Sequence, residues 1–419
     1  MTEAVVGGPV PVAPPTPTFI AAAAAPTPVL PASGASAPGP AVIAPFTTAA
    51  SAAPVAPAFA PASKPTSAPT SAPPSEPVPS AVLAAASREL VRGRDLSADT
   101  AADAVRALLD ERAEEAEIAA FLTAMTVKRP GPVEVAAAVR VVRERAAPVA
   151  WDGPAVDVVG SGGDGSDSVN ISTIAALIAA AAGATVAKAG NRAATSRCGS
   201  ADVLEALGIP LGPVDLVPEL LAAHRFAFLF SPAVHPAIGR IAPIRRRLGF
   251  RTLFNLVGPL ANPVRLTARL VGAADRRDQM VLAGAAALLG MERTWVVHGH
   301  GAMDELTTGG PNLVVAVDGS RLTESVLDPA DHGLRPATVE DLSGGGSEQN
   351  ATAVRRVLSG DAPRPVTDTC LLNAAAALLL AGRAADLGAG LELARGAVED
   401  GRATALVGAL AAASARPGS

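Results

Sequence analysis

The sequence predicts an α/β protein: a small helical domain plus a larger α/β domain with a mainly parallel central sheet, after a disordered Ala/Pro-rich N-terminal tail. Three observations carry that expectation. The first stretch is almost entirely Ala, Pro, Ser, Thr and Val; apolar residues then recur at helical spacing between Ser97 and Arg145. From Ala155 onward the order becomes strand, Gly-rich loop, helix, strand, the order of a βαβ unit.

Residues 1–80 form the expected tail, because frequent proline fixes φ and removes the amide donors that a packed element needs. A flexible appendage and a docking segment for a partner are the two readings of it. The helical domain is expected over residues 81–150. Ser97 can cap a helix carrying Val105, Leu108 and Leu109, and the next helix aligns Ile118, Phe121, Leu122 and Met125. A further helix runs from Pro132 to about Arg145, with Pro at its first position and Pro148 beyond its end.

The larger domain is expected over residues 151–419. Ala155–Val159 reads as a strand, a helix follows Asn170 and stops at Gly183, and Ala184–Ala187 reads as the next strand. Thr294–Val297 and Leu313–Val317 are further strands, and Leu371–Leu380 and Leu387–Val398 are late helices. Residues 236–262, Pro-bounded and Arg-rich, interrupt this pattern and are assigned to the helical domain, which leaves a cleft between two domains.

Composition narrows the function. The chain has 419 residues, 38 Pro, 39 Gly, 3% aromatics and no Tyr, so its cores must be built from Ala, Val and Leu. A formal charge of −5, from 34 basic and 39 acidic residues, gives no overall pull toward nucleic acid or an anionic membrane. Any anion site must be local. Cys198 and Cys370 lack metal-ligand spacing, Glu3 stands where a signal peptide carries basic residues, and no apolar run approaches the roughly 20 residues of a membrane span. A soluble, cytoplasmic protein is expected.

The stretch Gly160-Ser161-Gly162-Gly163-Asp164-Gly165 follows a strand and precedes a helix. It is either a plain tight turn or a loop whose backbone N–H groups, with the helix N-terminus, face a phosphate. Its spacing matches neither the dinucleotide fingerprint nor a Walker loop. Asn170, Ser172 and Thr173 then open the helix, as caps or as oxygen ligands for Mg²⁺, with Ser172 the best candidate ligand. Lys188, Arg192 and Arg197 alternate with small residues in a second loop, suited to a polyphosphate or simply solvated. Ser200 is expected to cap the helix Val203–Leu207.

His235 precedes a run containing Arg240, Arg245, Arg246, Arg247 and Arg251, any one or two of which can hold a carboxylate through parallel bonds. His235 is read as structural before catalytic. Asp304 and Glu305 follow the strand Thr294–Val297, in a solvated loop or as a second metal locus at the strand ends where open sheets bind ligands.

In order, GSGGDG, NIST, KAGNRAATSRCGSADVLEALG, HPAIGRIAPIRRRLGFRTLFNLVGPLANP, MDEL, and the stretch around Asn350 and CLLNAAAAL resemble the anthranilate phosphoribosyltransferase family, whose fold is related to pyrimidine nucleoside phosphorylases. The resemblance runs from about residue 82 to 415. It implies transfer of a 5-phosphoribosyl group from phosphoribosyl pyrophosphate to the amino group of anthranilate, with pyrophosphate released, in tryptophan biosynthesis. It implies donor contacts at Gly160, Gly163, Asp164, Ser168, Asn170, Ile171, Ser172, Thr173, Lys188, Ala189, Gly190, Asn191, Arg192, Ala193, Ala194, Thr195, Ser196 and Ser200. Two Mg²⁺ ions would sit on Ser172, Asp304 and Glu305. Gly160, Asn191 and Arg245 would receive anthranilate, Arg245 being chosen because the family places this arginine three residues before a Leu-Gly pair, here Leu248-Gly249.

The resemblance further implies a homodimer and a displacement at the anomeric carbon through an oxocarbenium-like transition state, with no covalent protein nucleophile. Two positions depart from the family pattern: Ala189 stands where His is usual and Ser161 where Thr is common. The loss of an imidazole at Ala189 makes transfer to another aminobenzoate in secondary metabolism the alternative activity. A nucleoside phosphorylase would lack the Arg245 clamp, and a non-catalytic nucleic-acid-binding relative would need a continuous basic face.

Overall fold

The computed structural model describes residues 78–193, 196–209 and 211–414. The expected tail, apart from residues 78–80, lies outside the described residues, as do Ala194 and Thr195. Helical structure begins earlier than expected. Pro79 opens α1 (Pro79–Val91) at a position where a missing amide costs nothing, and the helix buries Leu83, Ala86 and Leu90.

Three further helices complete a bundle: α2 (Ala98–Leu108), α3 (Glu115–Lys128) and α4 (Pro132–Glu144). Ser97 caps α2 by accepting from the Thr100 amide at 3.2 Å. A buried ion pair joins Lys128 to Glu134, whose other contacts are the amides of Leu96 at 2.9 Å and Gly131 at 2.7 Å. Every oxygen of that buried carboxylate is thus occupied, which is the condition for a buried charge to be tolerated.

Next come β1 (Val156–Gly160), α5 (Ile171–Ala181), β2 (Val186–Gly190), α6 (Ser200–Ala206), α7 (Val217–His224) and β3 (Phe226–Phe230). Short helices follow: α8 (Ser231–Val234), α9 (Pro236–Gly239), α10 (Ala242–Leu248) and α11 (Leu253–Val257). The chain returns to the sheet with β4 (Ala268–Gly272), α12 (Arg276–Leu288), β5 (Thr294–His298), β6 (Asn312–Asp318) and β7 (Arg321–Leu327). It ends in α13 (Ser347–Leu358), α14 (Arg364–Leu380), α15 (Leu387–Glu399) and α16 (Arg402–Ser414).

The seven strands lie in the order β3-β2-β1-β4-β5-β6-β7. The first five run parallel, and the β6 and β7 edge is antiparallel. From β1 the chain first builds outward through β2 and β3, then crosses to β4 on the other side. That reversal puts the switch in strand order between β1 and β4, at the carboxyl edge where open α/β sheets accept ligands.

Both sheet faces are covered. On one side α5 and α14 pack through Ala175, Ala176, Ala179 and Ala374–Ala377, and Gly390 of α15 lies so close that a Cβ there would sit 2.7 Å from the Ala375 carbonyl. Small side chains substitute for the missing aromatics by letting helices approach. On the other side Val271, Val296 and Val315 share a core with α4, α12 and the bundle. Ile241, Ile244, Leu253, Phe254 and Val257 of the 236–262 segment are buried in that same core with Phe121, Leu122 and Val139.

Several boundaries differ from the sequence reading. The strand expected at 184–187 runs Val186–Gly190, since Ala184 closes the turn after α5 by donating to the Ala179 carbonyl at 3.0 Å. The helix expected at 203–207 starts at Ser200, and Gly199 is its N-cap, with the Asp202 carboxylate accepting from the Gly199 amide at 2.9 Å. Ser200 therefore does not cap it. Its hydroxyl donates instead to the Asn191 carbonyl at 3.3 Å.

Candidate active site

Glycines end three adjacent strands: Gly160 on β1, Gly190 on β2 and Gly272 on β4. A side chain at Gly160 would collide with the Asp304 carboxylate, and one at Gly272 with the Asp304 carbonyl. The β5–β6 loop can descend onto the strand tips only because these positions lack Cβ atoms. Gly162, Gly163 and Gly165 have φ of 69°, 73° and 78°, the left-handed conformation that turns the loop above the N-terminus of α5.

A cavity of about 210 Å³ opens there. Its walls include Gly160, Gly163, Asp164, Ser168, Asn170, Ser172, Lys188, Ala189, Gly190, Asn191, Ser196, Ser200, Asp304 and Glu305, all expected site residues. Asp167 and Cys198 also border it, and the sequence does not single them out. Their sequence signals are weak, since both are held by contacts between the two loops: the Arg197 amide donates to Asp167 at 3.3 Å, and the Asn170 amide group to the Cys198 carbonyl at 3.2 Å.

Other expected residues are placed elsewhere. The side chains of Ile171 and Thr173 are fully buried on the inward face of α5, so only their backbone faces the loop region. Asn170 does not cap α5 through its side chain. Arg192 is held by Asp202 at 3.1 Å and by Glu205, and lies over the Phe230 ring, while the Ala193 amide donates to Asp202 at 3.0 Å. Arg245 is not on the cavity wall: its guanidinium lies 5.6 Å from the Phe254 ring centroid and donates to Asn255 at 3.2 Å. It is mostly buried, and burial lowers its pKa from the ordinary arginine value.

The acids of the cavity repel one another. Carboxylate oxygens of Asp164, Asp304 and Glu305 lie within 4.8 Å of each other, which adds Asp164 to the two expected loop acids, and Ser172 borders the same cavity. Burial, and then the Asp164 charge, raises the Asp304 pKa; burial, Asp304 and Asp164 raise that of Glu305, with Lys188 opposing. Among the described residues, the buried Glu305 Oε2 atom has no hydrogen-bond partner. Such a crowded set of hard oxygen donors suits a divalent cation, and Mg²⁺ fits its chemistry. The Ser172 hydroxyl, on the same wall, accepts from the Lys188 ammonium at 3.3 Å.

Asn350 of α13 braces the loops from behind. It donates to Asn170 Oδ1 at 2.8 Å and accepts from the Gly345 amide at 2.7 Å. Asn350→Ala strands both partners, at a cost of roughly 1–3 kcal/mol for buried unpaired groups. A lower melting temperature is the expected outcome, measured by thermal melts, and an unchanged one would show that Asn350 does not brace the loops.

His235 is buried, lies off the cavity, and is pushed down to about 4 from 6.5 chiefly by burial, with Arg143 adding to the effect. Between those values the unfolded chain binds a proton that the folded chain refuses, so this contribution to stability is full above 6.5 and falls as pH drops toward 4. His235→Phe is expected to flatten the acid limb of stability against pH, as read by urea unfolding at several pH values.

The helical bundle and the α/β domain each match a glycosyl transferase family, which gives the class of the protein. The description "Glycosyl transferase family, a/b domain" matches residues 152–404, and "Glycosyl transferase family, helical bundle domain" matches residues 85–146. An anthranilate phosphoribosyltransferase of Roseiflexus sp. (strain RS-1) is 46% identical over 319 residues, 76% of this chain and 94% of that protein. The crystal structure of the Thermus thermophilus enzyme is 40% identical with a TM-score of 0.72, covering 78% of this chain and 98% of its own. The Saccharomyces cerevisiae enzyme in complex with PRPP and Mg is 27% identical with a TM-score of 0.72, covering 80% and 98%. The chain belongs to the anthranilate phosphoribosyltransferase family, pentosyltransferases of the tryptophan pathway, and its activity is of that kind.

Proposed function

We propose that the cavity at the carboxyl ends of β1 and β2 binds phosphoribosyl pyrophosphate and directs its anomeric carbon at the amino group of anthranilate. One observation carries the assignment: the glycine loop, the N-terminus of α5, Lys188 and the trio Asp164, Asp304 and Glu305 all border one cavity. Backbone amides of residues 160–165 and the start of α5 offer donors to phosphate oxygens. Lys188, fully buried, has its pKa lowered by burial, opposed by the charges of Asp157, Glu305 and Asp304. Its ammonium faces the region where negative charge grows on departing pyrophosphate.

Asp164, Asp304 and Glu305, with Ser172 nearby, would hold magnesium, two ions in this reading. When bound, the metal neutralises pyrophosphate charge as the C–O bond breaks. The chain's own part is alignment and exclusion of competing groups; no protein nucleophile takes part. The amine attacks C1, the bond to pyrophosphate oxygen breaks, and the amine proton leaves to solvent or to a neighbouring base.

Asn191 and Gly160 would border the acceptor, and Arg245 would meet its carboxylate after domain movement. The Arg245 guanidinium is supported by an aromatic ring and hydrogen-bonds a neutral amide, which suits it to an incoming carboxylate. The chain would work as a cytoplasmic homodimer. Val91 and Val127, 77% and 79% exposed, border an apolar groove between α1 and α3 that a second copy would cover. A substituted aminobenzoate is the second reading, favoured by the small Ala189 side chain on the cavity wall. Loss of anthranilate fluorescence that requires both phosphoribosyl pyrophosphate and Mg²⁺ is the expected result. Persistence of anthranilate, with consumption of a substituted analogue, overturns the first reading in favour of the second.

A further inference from the structure

β1 and β2 share one ladder bridge, Val156 with Val186, and then run side by side without another, whereas β1 with β4 and β2 with β3 each pair along five residues. Had the parallel ladder continued, the Ala189 amide would donate to the Val158 carbonyl and the Ala187 carbonyl would accept from β1. Side chains occupy each of these places. The Ala189 amide donates to Asp157 Oδ1 at 3.1 Å, the Val158 carbonyl accepts from Lys188 Nζ at 2.6 Å, and the Ala187 carbonyl accepts from Asn262 Nδ2 at 2.8 Å.

Asn262 ties the set together. Its amide group also donates to Asp157 Oδ2 at 2.9 Å, and its carbonyl oxygen accepts from the Val264 amide at 2.9 Å. All three residues are buried: Asp157 0%, Lys188 1% and Asn262 2% exposed. Asp157 also sits beside Arg269 in the β1–β4 register; burial raises its pKa, opposed by Lys188, the hydrogen bonds from Asn262 and the Ala189 amide, and Arg269.

We propose that Asp157 and Asn262 are positioning residues. With Lys188 they form a wedge that keeps the ends of β1 and β2 apart, and so set the separation of Gly160 from Ala189–Asn191 across the acceptor side of the site. This rests on the acceptor assignment made above. A continuous ladder would draw the two strand tips together and close the crevice. Lys188 and Ala189 are shared with the donor, but most donor contacts lie along residues 163–172 and 192–200, so the wedge acts mainly on the acceptor and on its alignment for attack.

The test uses the full chain with Asn262→Ala and Asp157→Asn, the latter placing an amide group against the Asn262 amide group. Expected is a rise of about tenfold in the anthranilate KM and a fall of similar size in kcat, since small misplacements are costly in an aligned reaction. Phosphoribosyl pyrophosphate affinity, measured by calorimetry with Mg²⁺, should weaken by no more than about threefold, because only Lys188 and Ala189 among its contacts belong to the wedge and those along 163–172 and 192–200 do not. Faster amide hydrogen exchange confined to residues 186–191 is expected in both variants, a readout independent of any substrate. Asn262→Ser, which keeps a shorter donor, should fall between wild type and Asn262→Ala, and serves if either other variant fails to fold.

Unchanged exchange at 186–191, or donor and acceptor constants that worsen together in step with the melting temperature, overturns the proposal. A wild type that leaves anthranilate untouched contradicts the acceptor assignment, while the exchange measurement still decides whether the wedge exists.

Discussion

Asp304→Asn should lower kcat/KM for phosphoribosyl pyrophosphate by about two to three orders of magnitude, the loss that several kcal/mol of metal-supported charge stabilisation implies at 1.36 kcal/mol per tenfold. The same change should leave the melting temperature of the metal-free protein equal or higher. Asparagine keeps an oxygen for the Gly162 amide, which donates to Asp304 Oδ2 at 2.5 Å, and it removes a buried charge that burial and Asp164 disfavour. The linkage sign agrees. A carboxyl whose pKa is raised by folding contributes stability at low pH and loses it as pH rises through the unfolded value toward the folded one. At neutral pH the native aspartate is therefore a liability to the fold, retained at a site where negative oxygens are needed. Initial rates across Mg²⁺ concentrations and melts without Mg²⁺ give both readings. Undiminished activity, or a clearly less stable variant, would count against the metal assignment.

Gly272→Ala should destabilise the protein by about 3 kcal/mol or more, at the upper end for overpacked cores. Gly272 is paired at the end of β4, opposite Gly160 of β1, and a Cβ there would occupy the position of the Asp304 main-chain carbonyl. Its φ is not in the left-handed region, so backbone strain is not the cause. The obstacle is a main-chain atom, which cannot rotate away as a side chain does. Gly160→Ala makes the useful contrast. Its Cβ would meet the Asp304 side chain, which can turn aside, so the effect should fall on activity more than on stability. Urea unfolding of the two variants, alongside their rates, separates these outcomes. Equal stability for Gly272→Ala and wild type would show that the β5–β6 loop is free to lift from the sheet.

Much of this architecture is readable in the chain because local signals agree with the tertiary fold. Ser97 caps where its sequence position suggests, and the glycine loop stands between a strand and a helix. β4 escapes a sequence reading for a physical reason. It carries Arg269, 5% exposed, and a charge inside a five-residue strand breaks the apolar pattern that marks a buried strand. β3, Phe226–Phe230, is apolar enough but short, and follows directly on α7. The Ala-rich α16 has little amphipathic contrast and leaves only a weak trace, whereas α13 carries Ala351, Val354, Val357 and Leu358 at helical spacing, a signal the sequence reading passes over.

The site divides in the same way. Adjacent acids at 304 and 305 are visible in the sequence, but their meeting with Asp164, 140 residues from Asp304, depends on the β5–β6 loop crossing the tip of β4 to reach the loop after β1. The pairing of Asp157 with Asn262 spans 105 residues and carries no local signature at all. Arg245 is chosen by its spacing to Leu248-Gly249, yet its neighbours Phe254 and Asn255 become evident only once α10 and α11 are packed. At Ile171 and Thr173 the motif does not show which way the side chains point. A motif run includes every residue in it, while a helix presents only one face, and these two point inward.

The central claim is that donor and metal meet between the glycine loop and the acid trio. Anomalous diffraction from crystals of the full chain grown with Mn²⁺ and phosphoribosyl pyrophosphate tests it most directly. The expected result is a manganese peak among the carboxylates of Asp164, Asp304 and Glu305, with pyrophosphate density between the glycine loop and Lys188. Manganese away from those three acids, or a donor seated outside the 160–172 and 188–200 loops, would contradict it.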